Sequence, residues 1–277
     1  MRTSLFFSLS LVMIACFASA ADLASSPRRI VSLAPSMTEI MYALGLADNI
    51  VGVTTYCDYP EEAKKKPKIG GMSNPSLEAV VSLKPDIVVL TTDGNPKEFE
   101  ERLVSLKIRT YVFEARRLSE LPQGIRDLSA ALNIRERGER LAREIEEGIR
   151  RASALRSEHH VKRKVLFIVW PEPLIVAGPG TVIDDAIMLL GHENLAATAK
   201  TSYPKYSIED VISRAPDAIF VGKATGMDMR SVSEGFLKRM SSVPAVRNGA
   251  VFYTSDKLYR LGPRVIGGIE ELAACLR

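Results

Sequence analysis

A chain of 277 residues with 37 Lys and Arg against 33 Asp and Glu carries a formal charge of only +4, and no basic stripe gathers that excess into a nucleic-acid surface. The densest run, Lys64-Lys65-Lys66 with Lys68, follows Glu61-Glu62 and reads as a solvated helix end. None of the three His residues has metal-ligand spacing, and no stretch after the N-terminal segment is apolar enough to span a bilayer.

Residues 1–20 read as a secretory signal peptide, with Arg2 as a positive n-region, Leu5 to Phe17 as an apolar h-region and Ala18-Ser19-Ala20 as the cleavage site. Met13-Ile14-Ala15-Cys16 loosely resembles a lipoprotein processing site that would leave Cys16 acylated. The usual Leu three places before the Cys is missing, and the favoured reading is simple export. Cleavage takes 277 residues to 257 and, with the loss of Arg2, the charge to +3; that is chain enough for two compact lobes. Cys57 and Cys275 survive cleavage, and they are read as isolated thiols, since a bridge would tie the first lobe to the C-terminus.

Arg28–Ala34 is a β-rich run, and Ser36-Met37-Thr38-Glu39 then matches a capping box for a helix that ends at Gly45. A strand at Asn49–Thr54 leads into the loop Tyr56-Cys57-Asp58-Tyr59-Pro60. After the glycine-rich loop from Gly70 to Ser73, Asn74-Pro75 reads as N-cap and first residue of a helix that stops before Pro85. Asp86–Thr91 is a continuous apolar strand of the kind covered on both faces, followed by a helix at Pro96–Leu106 and a strand at Arg109–Phe113.

From Leu118 to Glu158 no strand is expected. Ile134, Leu141, Ile145, Ile149, Ala152 and Leu155 form a helix-period stripe, with Glu136–Arg140, Glu139–Arg143, Glu146–Arg150 and Glu147–Arg151 pairs on the outer face. Such a helix would be roughly 35 Å long, and Gly138 and Gly148 would each weaken it by about 1 kcal/mol. Beyond it the same order returns: strand Lys164–Trp170, helix Val182–Leu190, helix Ser207–Ser213, strand Asp217–Val221, helix Val232–Met240, strand Ala250–Thr254 and helix Pro263–Leu276. Alternation of this kind argues for parallel sheets.

The two halves repeat. Ser76 to Val88 aligns without gaps on Ser207 to Ile219, with Ser, Glu, Val, Ser, Pro and Asp identical. Two similar α/β lobes joined by a helix predict a cleft between them. The expected units are 1–20 signal peptide, 21–117 first lobe, 118–160 helical connection and 161–277 second lobe.

Catalytic equipment is sparse: no nucleophile elbow, no phosphate loop, no His-Glu-x-x-His. Large amphipathic side chains instead gather in the loops between elements: Tyr56, Tyr59, Met72, Trp170, Tyr203, Tyr206 and Tyr259. Such side chains at the carboxyl ends of strands suit a bulky, partly apolar ligand.

The pattern Arg29-Ile30-Val31-Ser32-Leu33-Ala34-Pro35-Ser36-Met37-Thr38-Glu39, the Tyr-Cys-Asp-Tyr-Pro loop, Ser76 to Val89 and the tail Ser255-Asp256 with Gly262-Pro263-Arg264 resemble the periplasmic cobalamin-binding proteins of ABC importers. Their wider group also binds haem and iron–siderophores. The resemblance implies two Rossmann-like lobes with parallel-rich sheets joined by one long helix, no catalysis and no resident cofactor or metal. The chain would be a periplasmic monomer carrying a corrinoid to permease subunits at the inner membrane. By position, Tyr56 and Met72 would meet the corrin from the first lobe, with Thr91 to Asp93 at its edge. Trp170 and Tyr203 would face it from the second lobe, with Asp256 and Tyr259 nearby. Glu78 and Glu209 would dock with the permease. Where the best-known member of the family has tryptophans, this chain has Met72, a Thr near 91, and Tyr203, and a cleft with fewer indoles suits a different corrinoid or weaker binding; haem or an iron–siderophore is the alternative cargo. A ferric chelate would need cations in the cleft, for which Lys223, Lys257, Arg260 and Arg264 are the candidates.

Overall fold

The computed structural model describes residues 26–156, 161–223 and 227–276. The expected signal peptide with Cys16, and the pair His159 and His160, lie outside the described residues.

Two sheets account for the strands. The first contains β1 (Ile30–Ser32), β2 (Ile50–Val53), β3 (Ile87–Thr91) and β4 (Thr110–Phe113) in the order β2-β1-β3-β4, every pair parallel. Its helices are α1 (Pro35–Ala43), the short α2 (Glu61–Lys64), α3 (Leu77–Ser82) and α4 (Lys97–Ser105). Both faces of β3 are covered, so alternate residues enter different cores. Val88 and Leu90 join Val80, Phe99 and Leu103, whereas Ile87 and Val89 join Met37 and Ile40.

Two helices then follow, α5 (Leu121–Ala131) and α6 (Arg135–Ala154). The second sheet contains β5 (Lys164–Pro171), β6 (Leu174–Val176), β7 (Glu193–Asn194), β8 (Ala218–Val221) and β9 (Val251–Tyr253). Its order is β6-β5-β8-β9, with β7 also on β5, and only the β5–β6 hairpin is antiparallel. Around it lie α7 (Val182–Leu189), α8 (Ile208–Arg214), α9 (Met229–Arg239), α10 (Pro244–Arg247) and α11 (Val265–Cys275).

The 20-residue α6 is the connection, and its glycines are contact points. A Cβ on Gly138 would overlap Ser129 Oγ and Cβ of α5, and one on Gly148 would meet Ile266 of α11 at 2.8 Å. The helix thus lies against the first lobe with one end and the second with the other. Helix propensity is given up at both points for close approach. One continuous apolar cluster follows from this packing: Ile40, Ile125, Ile145, Ile187, Phe220 and Ile269 belong to it, drawn from both halves. On the outer face, Glu139–Arg143 forms at 2.7 Å as expected. Glu146 instead meets Arg126 of α5 at 2.7 Å, and the same guanidinium reaches Glu139 at 2.8 Å, so Arg126 joins two carboxylates of α6.

The internal repeat holds at the level of atoms. Ser76 Oγ accepts from Ala79 N, and Ser207 Oγ from Asp210 N, capping α3 and α8 alike. Both helices stop at a left-handed non-glycine residue, Lys84 at φ 47° and Ala215 at φ 49°. Both are followed by an Asp that accepts main-chain N–H bonds, Asp86 from Arg28 and Arg29, Asp217 from Lys164. The N-cap of α3 is therefore Ser76; Asn74 and Pro75 lie in the loop before it, and Pro75 bridges to Gly70. The proposed box at Ser36–Glu39 also differs. Ala34 caps α1 without a side-chain bond, since Pro35 starts the helix and Glu39 faces another partner. Cys57 and Cys275 are free thiols. No helix among the described residues is long and apolar enough to cross a membrane.

Candidate functional site

Between the two sheets lies a cavity of about 880 Å³, near the upper end for small-molecule sites. The first lobe contributes the loops at the carboxyl ends of its four strands: Pro35 and Ser36 after β1, Tyr56 after β2, Thr91 to Gly94 at β3, and Phe113 to Arg117 at β4. The second lobe supplies Gly180, Thr181 and Val182 at the start of α7, Ser202 and Tyr203, and Leu258 to Leu261 after β9. A parallel sheet delivers every such loop to one edge, so two sheets facing edge to edge enclose a site.

Six of the eight residues expected to meet a ligand line this cavity: Tyr56, Met72, Thr91, Asp93, Tyr203 and Tyr259. Tyr56 is 63% exposed and Tyr203 52%, so both phenol rings present open faces to the cleft. The Met72 methyl packs over Gly94 so closely that a Cβ there would overlap it. Asn95 ties this wall together: its Nδ2 donates to Leu33 O and Met72 O, each at 2.9 Å, and its Oδ1 accepts from Thr91 N at 2.9 Å. The Tyr203 phenol is pushed up by desolvation and by the charge of Asp93 across the cleft. Tyr259 is pushed up further by burial and by its neighbours Tyr203 and Asp256, and its buried hydroxyl lies over Gly222 without a hydrogen-bond partner.

Trp170 and Asp256 are not among the lining residues. Trp170 sits inside the β5–β6 hairpin opposite Ile175, its Nε1 donating to Glu172 O at 2.8 Å, because β5 turns back there and does not end at the cleft. The Asp256 carboxylate is held by Arg264 at 2.8 Å; burial opposes its charge, but the Arg264 hydrogen bonds and charge keep it below the usual range.

Ion pairs close the seam at the cavity edge. Arg260 of the second lobe reaches Glu39 at 2.9 Å, Asp58 at 2.7 Å and the main-chain oxygen of Tyr56 at 3.2 Å. Arg264 adds a 3.3 Å contact to Glu39 and stacks over Tyr59 at 4.1 Å. Glu39 is 4% exposed, and burial pushes its carboxyl up against the opposing pull of both guanidiniums. Elsewhere on the rim Arg117 is paired with Asp185, which also accepts from Leu118 N at 2.8 Å. Arg116 donates to Thr92 Oγ1 at 3.1 Å and makes no ion pair among the described residues. Glu120 sits below the usual carboxylate range because the main-chain N–H groups of Arg116 and Arg117 point at it.

Sequence reasoning missed Arg116, Arg117 and the start of α7. The loop after β4 lies at a strand's carboxyl end as the loop after β2 does, but between Glu114 and Arg117 it carries no large amphipathic side chain to mark it. Among the described residues no three His, Cys, Asp or Glu gather as a metal site.

Two lobes of matching build, a stiff helical connection and a cleft at the facing strand ends define a two-lobed α/β solute-binding protein. A periplasmic binding protein family model matches residues 30–258, and the chain belongs to that family. Among its relatives, the vitamin B12-binding protein of Vibrio parahaemolyticus is 30% identical over 261 residues, 92% of each chain. Of the solved structures, the periplasmic vitamin B12 binding protein BtuF of Vibrio cholerae superposes with a TM-score of 0.81 at 26% identity, covering 91% of this chain and 97% of that one. The apo periplasmic heme-binding protein RhuT from Roseiflexus gives 0.80 at 31% identity, covering 90% and 97%.

Proposed function

We propose that this chain is an extracytoplasmic binding protein that captures cobalamin or a related corrinoid in the interlobe cleft and delivers it to the permease subunits of an ABC importer at the inner membrane. The observation that carries the reading is the charge state of a large, aromatic-lined cavity. Three arginines reach it, and two are already neutralised, Arg117 by Asp185 and Arg260 by Glu39 with Asp58. A corrinoid presents neutral amides around its rim, which hydroxyls and main-chain groups satisfy. Haem presents two propionates, and of the three arginines lining the cavity Arg116 alone makes no ion pair among the described residues.

The chain does no chemistry in this role, and no residue is assigned a catalytic part. Tyr56, Met72 and Tyr203 supply apolar faces for the macrocycle, and Asp93 and Thr91 supply polar contacts at its edge. Glu78 and Glu209, both exposed on the first turns of α3 and α8, are the permease-docking residues.

The haem reading is favoured by the likeness to haem-binding structures, RhuT among them, and either Tyr56 or Tyr203 would then be the phenolate ligand. Incubation with cyanocobalamin followed by desalting separates the two. Retained red colour and a raised melting temperature are expected, with about 2.7 kcal/mol of added stability at a hundredfold excess over Kd. Retention of haem or a ferric siderophore with no retention of cobalamin would reverse the assignment.

A further inference from the structure

We propose that Val81 and Ile212 are a matched pair of apolar anchors, one on each lobe, in the surface that docks with the permease subunits. This rests on the docking role argued above for Glu78 and Glu209.

The two residues occupy the same place in the internal repeat, which pairs Ser76 with Ser207, Glu78 with Glu209 and Val81 with Ile212. The structure treats them alike: Val81 is 40% exposed and Ile212 39%. Each lies three residues after its glutamate on a capped helix, so charge and apolar side chain share one exposed face. The neighbours Val80 and Val211 are fully buried and do the folding work of these helices. Nothing in either lobe requires an apolar group one position further on. A β-branched residue there is a poorer helix former than Ala, Lys or Glu and leaves hydrocarbon in water. Both halves of the chain nevertheless keep one.

The same unit also reaches the cleft. Met72 and Ser73 line the cavity shortly before Ser76, and Ser202 and Tyr203 shortly before Ser207. The two docking faces therefore flank the cavity, and each is joined to a wall of it by a few residues. Two equivalent patches, each an acid beside an apolar side chain, are complementary to two equivalent sockets, each a cation beside an apolar pocket. Two copies of one permease subunit about a two-fold axis present that arrangement. Apolar contact holds the complex once charge has steered it, so the anchors act on dissociation and the glutamates on encounter.

The test uses the exported chain, labelled with a fluorophore and titrated onto spheroplasts of its host lacking the chromosomal copy. Specific binding is that displaced by unlabelled protein. Val81→Ser with Ile212→Ser is expected to weaken this binding about tenfold with an unchanged salt dependence. Glu78→Lys with Glu209→Lys abolishes it, while cyanocobalamin affinity in solution stays as in the parent. Val104→Ser with Val232→Ser, at exposed apolar sites on α4 and α9, serves as the control and binds like the parent. Val81→Thr with Ile212→Thr, closer in shape, guards against a folding defect and is expected to weaken binding in the same direction. Parental binding by both anchor pairs beside loss in the glutamate pair overturns the anchors and leaves the docking reading intact. Parental binding by the glutamate pair overturns the docking reading and the anchors with it.

Discussion

Replacing Arg260 with Met should destabilise the protein far more than replacing Glu39 with Gln. Arg260 has 18% of its side chain exposed and bridges Glu39, 2% exposed, and Asp58, 35% exposed. The seam holds three carboxylates, Glu39, Asp58 and Asp256, against two guanidiniums, Arg260 and Arg264. Arg260→Met leaves three acids facing one cation. Breaking a buried pair in this way costs about 3–5 kcal/mol, and the water available to Asp58 brings the expected loss to the low end, about 3 kcal/mol. Glu39→Gln leaves two acids, each with its own arginine, and an amide that still accepts a hydrogen bond. Its expected cost is that of one weakened bond, about 1 kcal/mol. At about 2–4 °C per kcal/mol for a chain of this size, the melting temperature should fall by about 6–12 °C for the first and about 2–4 °C for the second. Urea unfolding gives the free energies, and the double variant gives the coupling between the two positions. Glu39→Gln costing as much as Arg260→Met, or Arg260→Met costing under about 1 kcal/mol, would refute the charge accounting and with it the description of this seam as a buried ionic clamp.

Gly138→Ala should destabilise by about 2 kcal/mol although it raises helix propensity, because the new methyl overlaps Ser129 Oγ and Cβ; Gly148→Ala, whose methyl meets Ile266 Cγ1 at the longer distance of 2.8 Å, should cost less. Thermal scans of the two variants decide it, and equal effects would argue against a fixed α5–α6 contact. Tyr203→Ala should weaken cyanocobalamin binding about tenfold, whereas Trp170→Phe should leave it unchanged, since only the first residue lines the cavity; a titration of each reads the outcome directly. Tyr111 is pushed up to about 12 by burial and by the charges of Asp127 and Glu114. The folded state therefore holds this proton more tightly than the unfolded chain. The stability it contributes is complete below pH 10 and is lost as pH rises toward 12, a decline that Tyr111→Phe should reduce in alkaline unfolding curves.

How far these features were legible depends on the distance over which each is determined. The strands were visible because parallel β-strands buried on both faces are nearly continuous apolar runs, as at Asp86–Thr91 and Ala218–Val221. The repeat was visible because the same helix, turn and strand must solve the same packing problem twice. It carried enough detail to pair Glu78 with Glu209 before any coordinates. The place of Trp170 off the cavity lining is not legible, because nothing in the run Lys164–Trp170 announces that β5 continues into a hairpin with β6. Gly138 and Gly148 read as weaknesses for a related reason, since a helix pattern shows the stripe to be buried but not how closely the neighbouring backbone approaches.

Glu39 shows the limit most clearly. Three residues after Ser36 it has the spacing of a local helix cap, and the local pattern gives it a complete explanation. Its partners are Arg260 and Arg264, separated from it by 221 and 225 positions. A carboxylate that folds its own helix and one that clamps two lobes present the same four letters, and only the three-dimensional path of the chain distinguishes them. The loop after β2 is marked in the sequence by two aromatic rings, of which Tyr56 lines the cleft and Tyr59 lies under Arg264 in the seam. The Tyr56 main chain is held by the Arg260 guanidinium, which donates to its carbonyl oxygen at 3.2 Å, so a residue of the opposite lobe anchors the backbone of this wall. Ligand contact and lobe geometry are therefore one problem in this fold. A substitution at the seam should alter the shape of the cleft before it alters its chemistry.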